Sequence, residues 1–300
     1  MIDRYCFVIG AMKAGTTSLF DHLSKHPEVA VANPKEAGFF AFDSVYSNGF
    51  DWYEGLFSFD PANHKVAVEG TTDYSKFPHA EAAPRIRAFA ETRDVKLIYI
   101  MRHPLRRIES HARHTQAKRA ELGRTISDRA DHSLDAGVSS LSLDASRYAM
   151  QIDQYQDFLV KDRLRLFTLE RLQREPVAVV EEICEYLEIS STVISADVKQ
   201  KNKAPGVRYN DELNLAWRIA ASIAPLKAAV KAVTPGEWRH KMRRKARTSE
   251  PLNGRFKLTP AEEAALLSEL APDLLTLSSQ FGIDIKAEWN IDPKALRAAA

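Results

Sequence analysis

The stretch 5-YCFVIGAMKAGTTSL-19 decides how the rest of this chain is organised. Its first five residues are apolar and favour extended structure, which predicts a buried strand. Gly10 and Gly15 then frame a loop, and apolar residues at helical spacing predict that a helix follows it. Glycines let the main chain approach a ligand closely, and the free N–H groups and dipole of a helix start favour an anion. The order of strand, glycine loop and helix therefore predicts a phosphate-binding cradle.

The side chains of this loop suit the same kind of ligand. Lys13 can reach a phosphate or sulfate oxygen as a point charge, and Thr16, Thr17 and Ser18 offer hydroxyl donors. The pattern departs from the ATP-type P-loop, in which Gly-Lys-Ser/Thr stand together at the end of the loop. The alternative interpretation is an ordinary strand-to-helix turn with a solvated lysine.

A second apolar run, 96-KLIYIM-101, predicts a central strand that is buried on both faces. Arg102 follows it, and a helix predicted from about residue 105 carries Ser110. An ATPase of the P-loop class is expected to have an Asp at this strand end to hold magnesium. An arginine suits a second anionic group instead, and the alternative is a surface arginine at a helix start.

The segment 33-NPKEAGFF-40 carries the candidate general base, Glu36. Its proline indicates a turn and extended chain, and the pair Phe39 and Phe40 is expected in the core. A carboxylate held beside buried aromatic rings has its pKa raised by desolvation, as a general base requires. The alternative is a surface glutamate on a loop.

Composition limits the classes of protein that fit. The 300 residues are 45% hydrophobic and 27% charged, typical of a globular α/β protein. The formal net charge of +2 gives no basis for bulk nucleic-acid binding. Cys6 and Cys184 predict no disulfide framework, and we find neither a leader peptide nor an apolar run of about 20 residues that could span a bilayer. We therefore expect a cytoplasmic protein.

Together these motifs resemble the sulfotransferases that use 3′-phosphoadenosine 5′-phosphosulfate (PAPS). The loop 10-GAMKAGTTSL-19 resembles their 5′-phosphosulfate-binding loop, and is most similar to that of heparan sulfate N- and 3-O-sulfotransferases and their bacterial relatives. The resemblance implies that Lys13 contacts the transferring sulfuryl group and its leaving oxygen, and that Glu36 deprotonates the acceptor. It implies a PAPS donor, adenosine 3′,5′-bisphosphate (PAP) as product, no metal, and cofactor-binding residues at Lys13, Ala14, Gly15, Thr16, Thr17, Ser18, Arg102 and Ser110.

The resemblance covers most of residues 5–190 and resumes near 252–289. There, Gly254 and Arg255 match two of three residues of a family loop that closes over the nucleotide, which implies contact with a phosphate. Heparan-type relatives have Glu-Lys-Thr-Pro-x-Tyr where this chain has 69-EGTTDY-74, so Gly70 stands in place of a family lysine. Candidate acceptor-side residues are Asp73, Tyr74, Arg147 and Tyr148.

The segment 215–247 alternates apolar positions with basic residues and ends in a strongly basic run. It is typical of a helix docked on the domain with a solvated basic face. The alternative is peripheral contact with an anionic membrane. The prolines at 225 and 235 favour the docked helix because they shorten it.

We therefore expect one α/β sulfotransferase domain over 1–300, P-loop-like, with a parallel sheet flanked by helices on both faces. Its parts are a PAPS-binding core at about 3–190, a helical and basic segment at 211–250, and a closing loop with a C-terminal helix at 251–300. The acceptor, a carbohydrate, lipid or small molecule with a hydroxyl or amine, stays open, as does the oligomeric state. Two rival functions remain, a P-loop nucleotide kinase and a non-catalytic nucleotide-binding module associated with membranes. If Glu36 is not the base, the candidates are His79, Asp73 and His103.

Overall fold

A computed structural model describes residues 2–121, 138–191 and 256–299. Nearly all of them belong to one compact unit, made of 1–114, 127–200 and 257–300. A second unit, 115–126 and 201–256, lies almost wholly outside the described residues. The predictions for 211–250 and for Gly254 and Arg255 also lie outside them, and the proposed division into parts stays a prediction.

The core of the described unit is a five-stranded parallel sheet with strand order β2-β3-β1-β4-β5. Strand β1, which ends at the predicted loop, is central and pairs with β3 and β4. The parallel sheet predicted from the sequence is thus confirmed. The strands are β1 Arg4–Gly10, β2 Val29–Val31, β3 Val66–Glu69, β4 Asp94–Met101 and β5 Leu164–Thr168.

Helices connect the strands and follow the last of them. Numbered over the described residues, they are α1 Thr16–Leu23, α2 Asp43–Tyr46, α3 Gly49–Glu54, α4 Ala83–Phe89, α5 Pro104–Glu121, α6 Ser140–Asp144, α7 Tyr148–Asp153, α8 Gln156–Val160, α9 Leu169–Arg174, α10 Pro176–Leu187, α11 Pro260–Phe281, α12 Ile285–Trp289 and α13 Pro293–Ala299, with a 3₁₀ turn at Thr72–Ser75. No helix among these residues is long and apolar enough to cross a bilayer.

Strand β1 shows why helices cover both faces of the sheet. Alternate side chains of a strand point to opposite faces. Cys6 and Val8 pack into an aliphatic cluster with α1 and α10. Tyr5 and Phe7 pack on the other face, in an aromatic cluster with rings that include Phe89 of α4. Both faces of β1 are therefore buried, which explains its unbroken apolar run.

Three local features refine the sequence-based expectations. A short strand, β2, precedes the segment 33–40, which the sequence predicts as turn and extended chain. The chain after residue 147 forms two short helices, α7 and α8, instead of one long one. A capping box starts α11, because the Thr259 hydroxyl accepts from the Glu262 N–H and the Glu262 carboxylate accepts from the Thr259 N–H.

Candidate active site

The two glycines of the loop between β1 and α1 stand where a side chain does not fit. A Cβ on Gly10 would lie 1.9 Å from Ser75 Oγ, and one on Gly15 would lie 2.6 Å from Leu169 Cδ1. Gly15 also has a φ of 97°, in the left-handed region that favours glycine. The loop therefore follows a tight path against the 3₁₀ turn and α9, as the predicted cradle requires.

Backbone donors gather at the start of α1. The first bond of the helix runs from Leu19 N to Gly15 O, 3.1 Å, so the N–H groups of Thr16, Thr17 and Ser18 precede it and have no intrahelical acceptor. No side chain of the described residues caps this helix. These donors and the helix dipole can therefore bind an anion.

Lys13 and Arg102 lie beside each other, although they come from different strand ends. An Arg102 Nη donates to the Lys13 carbonyl, 3.4 Å apart, and the Tyr148 hydroxyl donates to the Arg102 carbonyl at 2.6 Å. Burial lowers the pKa of Lys13, and the nearby Arg102 lowers it further. Burial is also the main cause of the lowered pKa of Arg102. The structure thus brings the predicted lysine and arginine into one partly desolvated cationic site, which favours an anion.

Arg107 is a component that sequence reasoning missed, because nothing in the sequence distinguishes it from the neighbouring Arg106. Its side chain is fully buried. Its guanidinium donates to Ser146 Oγ at 2.8 Å, to the carbonyl and hydroxyl of Ser142, and to the Met12 carbonyl at 3.5 Å. Arg107 therefore connects the β1–α1 loop to the segment that carries α6.

Two further residues of α5, Ser110 and Arg113, lie beyond Arg107 along the helix. Ser110 is half-buried, two helical turns beyond the helix start. Arg113, which the sequence did not single out, is close enough to contribute to the lowered pKa of both Lys13 and Arg102. Its guanidinium lies 3.8 Å from a carboxylate oxygen of Glu109.

Glu36 is exposed, so of the two sequence-based interpretations it is the surface glutamate, and not the desolvated carboxylate beside aromatic rings, that describes its surroundings. Its side chain is 48% exposed, with the Lys35 ammonium 3.5 Å from its carboxylate. Phe39 and Phe40 are buried as expected, but the chain turns between them and Glu36 at Gly38, which has a φ of 67°. The Glu36 carboxylate is also near enough to Lys13 to raise the pKa of that lysine against the larger effect of burial. The candidate base thus lies within electrostatic range of the lysine of the loop.

The fully buried carboxylate of Glu69, at the end of β3, anchors the segment that carries Glu36 through a chain of hydrogen bonds. The hydroxyls of Tyr53, Thr71 and Tyr74 donate to this carboxylate. Thr71 Oγ1 in turn accepts from the Gly38 N–H at 3.1 Å. Burial raises the pKa of Glu69, and these hydrogen bonds act in the opposite direction. Glu69 therefore positions the Glu36 segment without reaching the surface.

The candidate acceptor-side residues take other places. Tyr74 and Tyr148 are fully buried, with hydroxyls bound to Glu69 and to the Arg102 carbonyl. Asp73 lies 2.7 Å from the Lys76 ammonium. Arg147 is ion-paired with two carboxylates, those of Asp144 at 2.6 Å and Glu269 at 3.1 Å.

The alternative bases His79 and His103 lie in different surroundings. His79 is exposed and lies 2.9 Å from Asp144. Burial, then the charge of Arg106, lowers the pKa of His103 to about 4, which makes its imidazole a weak base.

Within the described part of the chain, no three His, Cys, Asp or Glu side chains lie together as a set of metal ligands.

Comparison with known proteins identifies the fold that carries this site. A family model described as the sulfotransferase domain matches residues 3–211. The chain belongs to the sulfotransferase domain family. The solved structure of a sulfotransferase from Alicyclobacillus acidocaldarius superposes with a TM-score of 0.53 at 23% identity, covering 80% of this chain and all of the other. That likeness concerns the fold.

Two curated relatives extend the comparison. Heparan sulfate glucosamine 3-O-sulfotransferase 3B1 of Mus musculus is 27% identical over 184 residues, which are 60% of this chain and 45% of the relative. The membrane-associated sulfotransferase kil1 of Dictyostelium discoideum is 39% identical over 102 residues, 33% of this chain and 20% of the relative. The chain thus spans less than half the length of these relatives. The resemblance stated from the sequence is confirmed, and membership of this family does not favour the kinase alternative.

Proposed function

We propose that this protein transfers a sulfuryl group from PAPS to a hydroxyl or amine of a carbohydrate, lipid or small-molecule acceptor. The observation that carries the proposal is the meeting of two cations from two strand ends, near a carboxylate. Arg102 donates to the Lys13 carbonyl, and the charge of Glu36 raises the pKa of Lys13 against the larger effect of burial. Membership of the sulfotransferase domain family supports this assignment.

The residues present fit a nucleotide with two anionic ends. The start of α1 supplies backbone donors for a 5′ group, with the hydroxyls of Thr17 and Ser18 exposed beside them. Arg102 and Ser110 supply a cation and a hydroxyl for a 3′-phosphate. Both sets belong to the carboxyl ends of adjacent strands, where ligands of open α/β sheets bind. When bound, PAPS supplies the activated sulfuryl group.

The side chains divide the chemistry between them. Glu36, exposed to an incoming acceptor, takes its proton as the acceptor oxygen or nitrogen bonds to sulfur. The S–O bond to the 5′-phosphate breaks on the opposite side of sulfur, and its electron pair stays on the phosphate of PAP. Lys13 and the α1 amides donate to that oxygen as its negative charge develops, which is electrostatic stabilisation by groups already in place.

The test is turnover of PAPS with a panel of carbohydrate, lipid and small-molecule acceptors, followed by mass spectrometry of the sulfated product. We expect Glu36→Gln to lower kcat by about 10²–10⁴-fold, the range for lost general-base catalysis, with PAP affinity almost unchanged. Glu91→Gln, at an exposed glutamate between α4 and β4, is the matched control and should keep wild-type turnover. Near-normal turnover of Glu36→Gln would move the base to another residue, and no turnover of any acceptor by the wild type would refute the function.

The proposal includes the cellular context. Cys6 and Cys184 are both free and buried, which supports a reducing compartment such as the cytoplasm. Fractionation of cells with an antibody to the protein tests this assignment. Segment 215–247 stays a prediction, and sedimentation with anionic vesicles distinguishes membrane contact from a docked helix.

A further inference from the structure

The side chain of Lys35 joins the two halves of the proposed site. Its ammonium lies 3.5 Å from the Glu36 carboxylate and 3.4 Å from the hydroxyl of Thr17, in the first turn of α1. The same ammonium lies 5.5 Å from the centroid of the Phe20 ring. One cation therefore touches both the helix start that suits the donor and the candidate base that faces the acceptor.

Gly70, at the carboxyl end of β3, makes room for this side chain. The Gly70 N–H donates to the Lys35 carbonyl at 3.2 Å, which brings the two backbones together. A Cβ on Gly70 would lie 2.9 Å from Lys35 Cε and 3.1 Å from Phe20 Cδ2. A side chain at position 70 would therefore push the Lys35 ammonium away from Thr17 and Glu36.

The contact between the Lys35 ammonium and the Glu36 carboxylate contributes little to the stability of the fold. The Lys35 side chain is only 20% exposed, and burial lowers the pKa of its ammonium, so the charge is partly desolvated. Its partner Glu36 is 48% exposed, and ion pairs that reach solvent in this way contribute little to stability. Because its protein partners stabilise it only weakly, this partly desolvated ammonium would be stabilised more by an additional anion.

We propose that Lys35 contacts the transferring sulfuryl group and orients the Glu36 carboxylate toward the acceptor, and that Gly70 is required because the Lys35 stem passes over it. The inference rests on the proposed function. A sulfuryl group that moves from a donor at the start of α1 to an acceptor at Glu36 must pass between these two positions. Lys35 spans that interval with contacts at both ends.

The first test compares nucleotides that differ only in the sulfuryl group. Lys35→Met keeps the packing of the stem and removes the charge. By calorimetry, we expect this variant to bind PAPS about tenfold more weakly than wild type, while PAP affinity changes by less than about threefold. Lys65→Met, at an exposed lysine paired with Glu28, is the control and should change neither affinity. Equal losses for PAPS and PAP, or none for either, would overturn the proposal.

The second test is a double-mutant cycle on kcat. Lys35→Met should lower kcat by about 10²-fold, the scale for loss of one electrostatic contact in a transition state. Gly70→Ala should lower kcat in the wild-type background, because it displaces the ammonium, and should add almost nothing in the Lys35→Met background. Equal effects of Gly70→Ala in both backgrounds would refute the link between the two residues.

The two proposals fail in different ways. If the wild type turns over PAPS but Lys35→Met has wild-type kcat and PAPS affinity, the role of Lys35 is refuted and the proposed function stands. If the wild type neither binds PAPS nor transfers its sulfuryl group, the proposed function is refuted, and the role of Lys35 with it. Lys35→Arg should recover part of the lost kcat, since it restores the charge with a different shape.

Discussion

Replacement of Arg102 by alanine tests whether the strand-end arginine recognises the 3′-phosphate that distinguishes PAP from ordinary adenine nucleotides. In the described part of the chain, Arg102 forms no ion pair, and its guanidinium donates only to the Lys13 carbonyl at 3.4 Å. Burial lowers the pKa of this group. A partly desolvated guanidinium with one long hydrogen bond can gain a strong, charge-assisted contact from a phosphate.

The size of the effect follows from the type of contact. Hydrogen bonds to charged groups contribute about 1.5–3 kcal/mol, which is about one to two decades in affinity. We therefore expect PAP to bind at least about tenfold more tightly than 5′-AMP, which lacks only the 3′-phosphate. Arg102→Ala should remove most of this preference and leave 5′-AMP affinity almost unchanged.

Calorimetry with both nucleotides, without added magnesium, measures the preference directly. Arg106→Ala is the matched control, because Arg106 lies in the first turn of α5, just after Arg102, and is already ion-paired with Glu109 and Glu263. It should keep the wild-type preference, which should also weaken as salt screens the phosphate contact. Equal affinities for PAP and 5′-AMP in the wild type would refute the reasoning. A fall in both affinities for Arg102→Ala would give Arg102 a structural role instead.

Three further changes test other parts of the site. Lys13→Ala should lower kcat more than PAP affinity in steady-state and calorimetric measurements, because charge on the bridging oxygen develops only as the S–O bond breaks; equal losses would make Lys13 a ground-state anchor. Gly15→Ala should lower the free energy of unfolding in urea by about 1–3 kcal/mol, because of the left-handed φ of 97° and the contact with Leu169, and a wild-type value would contradict the loop geometry. Burial, then the charge of Arg107, lowers the pKa of His111 in the folded protein to about 4. As pH falls below about 6.5, His111 therefore takes up a proton in the unfolded state first, which lowers the free energy of unfolding. His111→Gln should reduce this loss between pH 6.5 and 5 by up to about 2 kcal/mol, and an identical loss in both proteins would show that His111 does not cause it.

The sheet could be predicted because the sequences of its central strands are recognisable without knowledge of the rest of the fold. The runs that form β1 and β4 are apolar without interruption, as strands buried on both faces must be. Strand β2 has only three residues between prolines, too few for a periodic signal, and appears because β3 pairs with it. Local pattern thus predicts long buried strands, whereas short ones depend on their neighbours in the sheet.

The candidate site was predictable only where a motif carries it. Lys13 and Arg102 follow strands that the sequence reveals, so their convergence could be expected. The exposure of Glu36 could not, because it depends on the turn at Gly38 and on Thr71, which binds the Gly38 N–H from another loop. The sequence shows that Lys35 is next to Glu36, but the role of Lys35 depends on its contact with Gly70, which belongs to a distant segment of the chain.

The distribution of paired and unpaired cations supports an anionic ligand beyond any single residue. Away from the site, arginines pair with carboxylates, as Arg87 does with Asp157 and Arg171 with Glu182. In the site, Arg102 and Arg107 bind only carbonyl and hydroxyl oxygens among the described residues. Such neutral acceptors hold the geometry of a guanidinium but leave its charge uncompensated, which is costly when the group is buried. A polyanionic nucleotide would supply negative charge to these two guanidinium groups, as the proposed function requires.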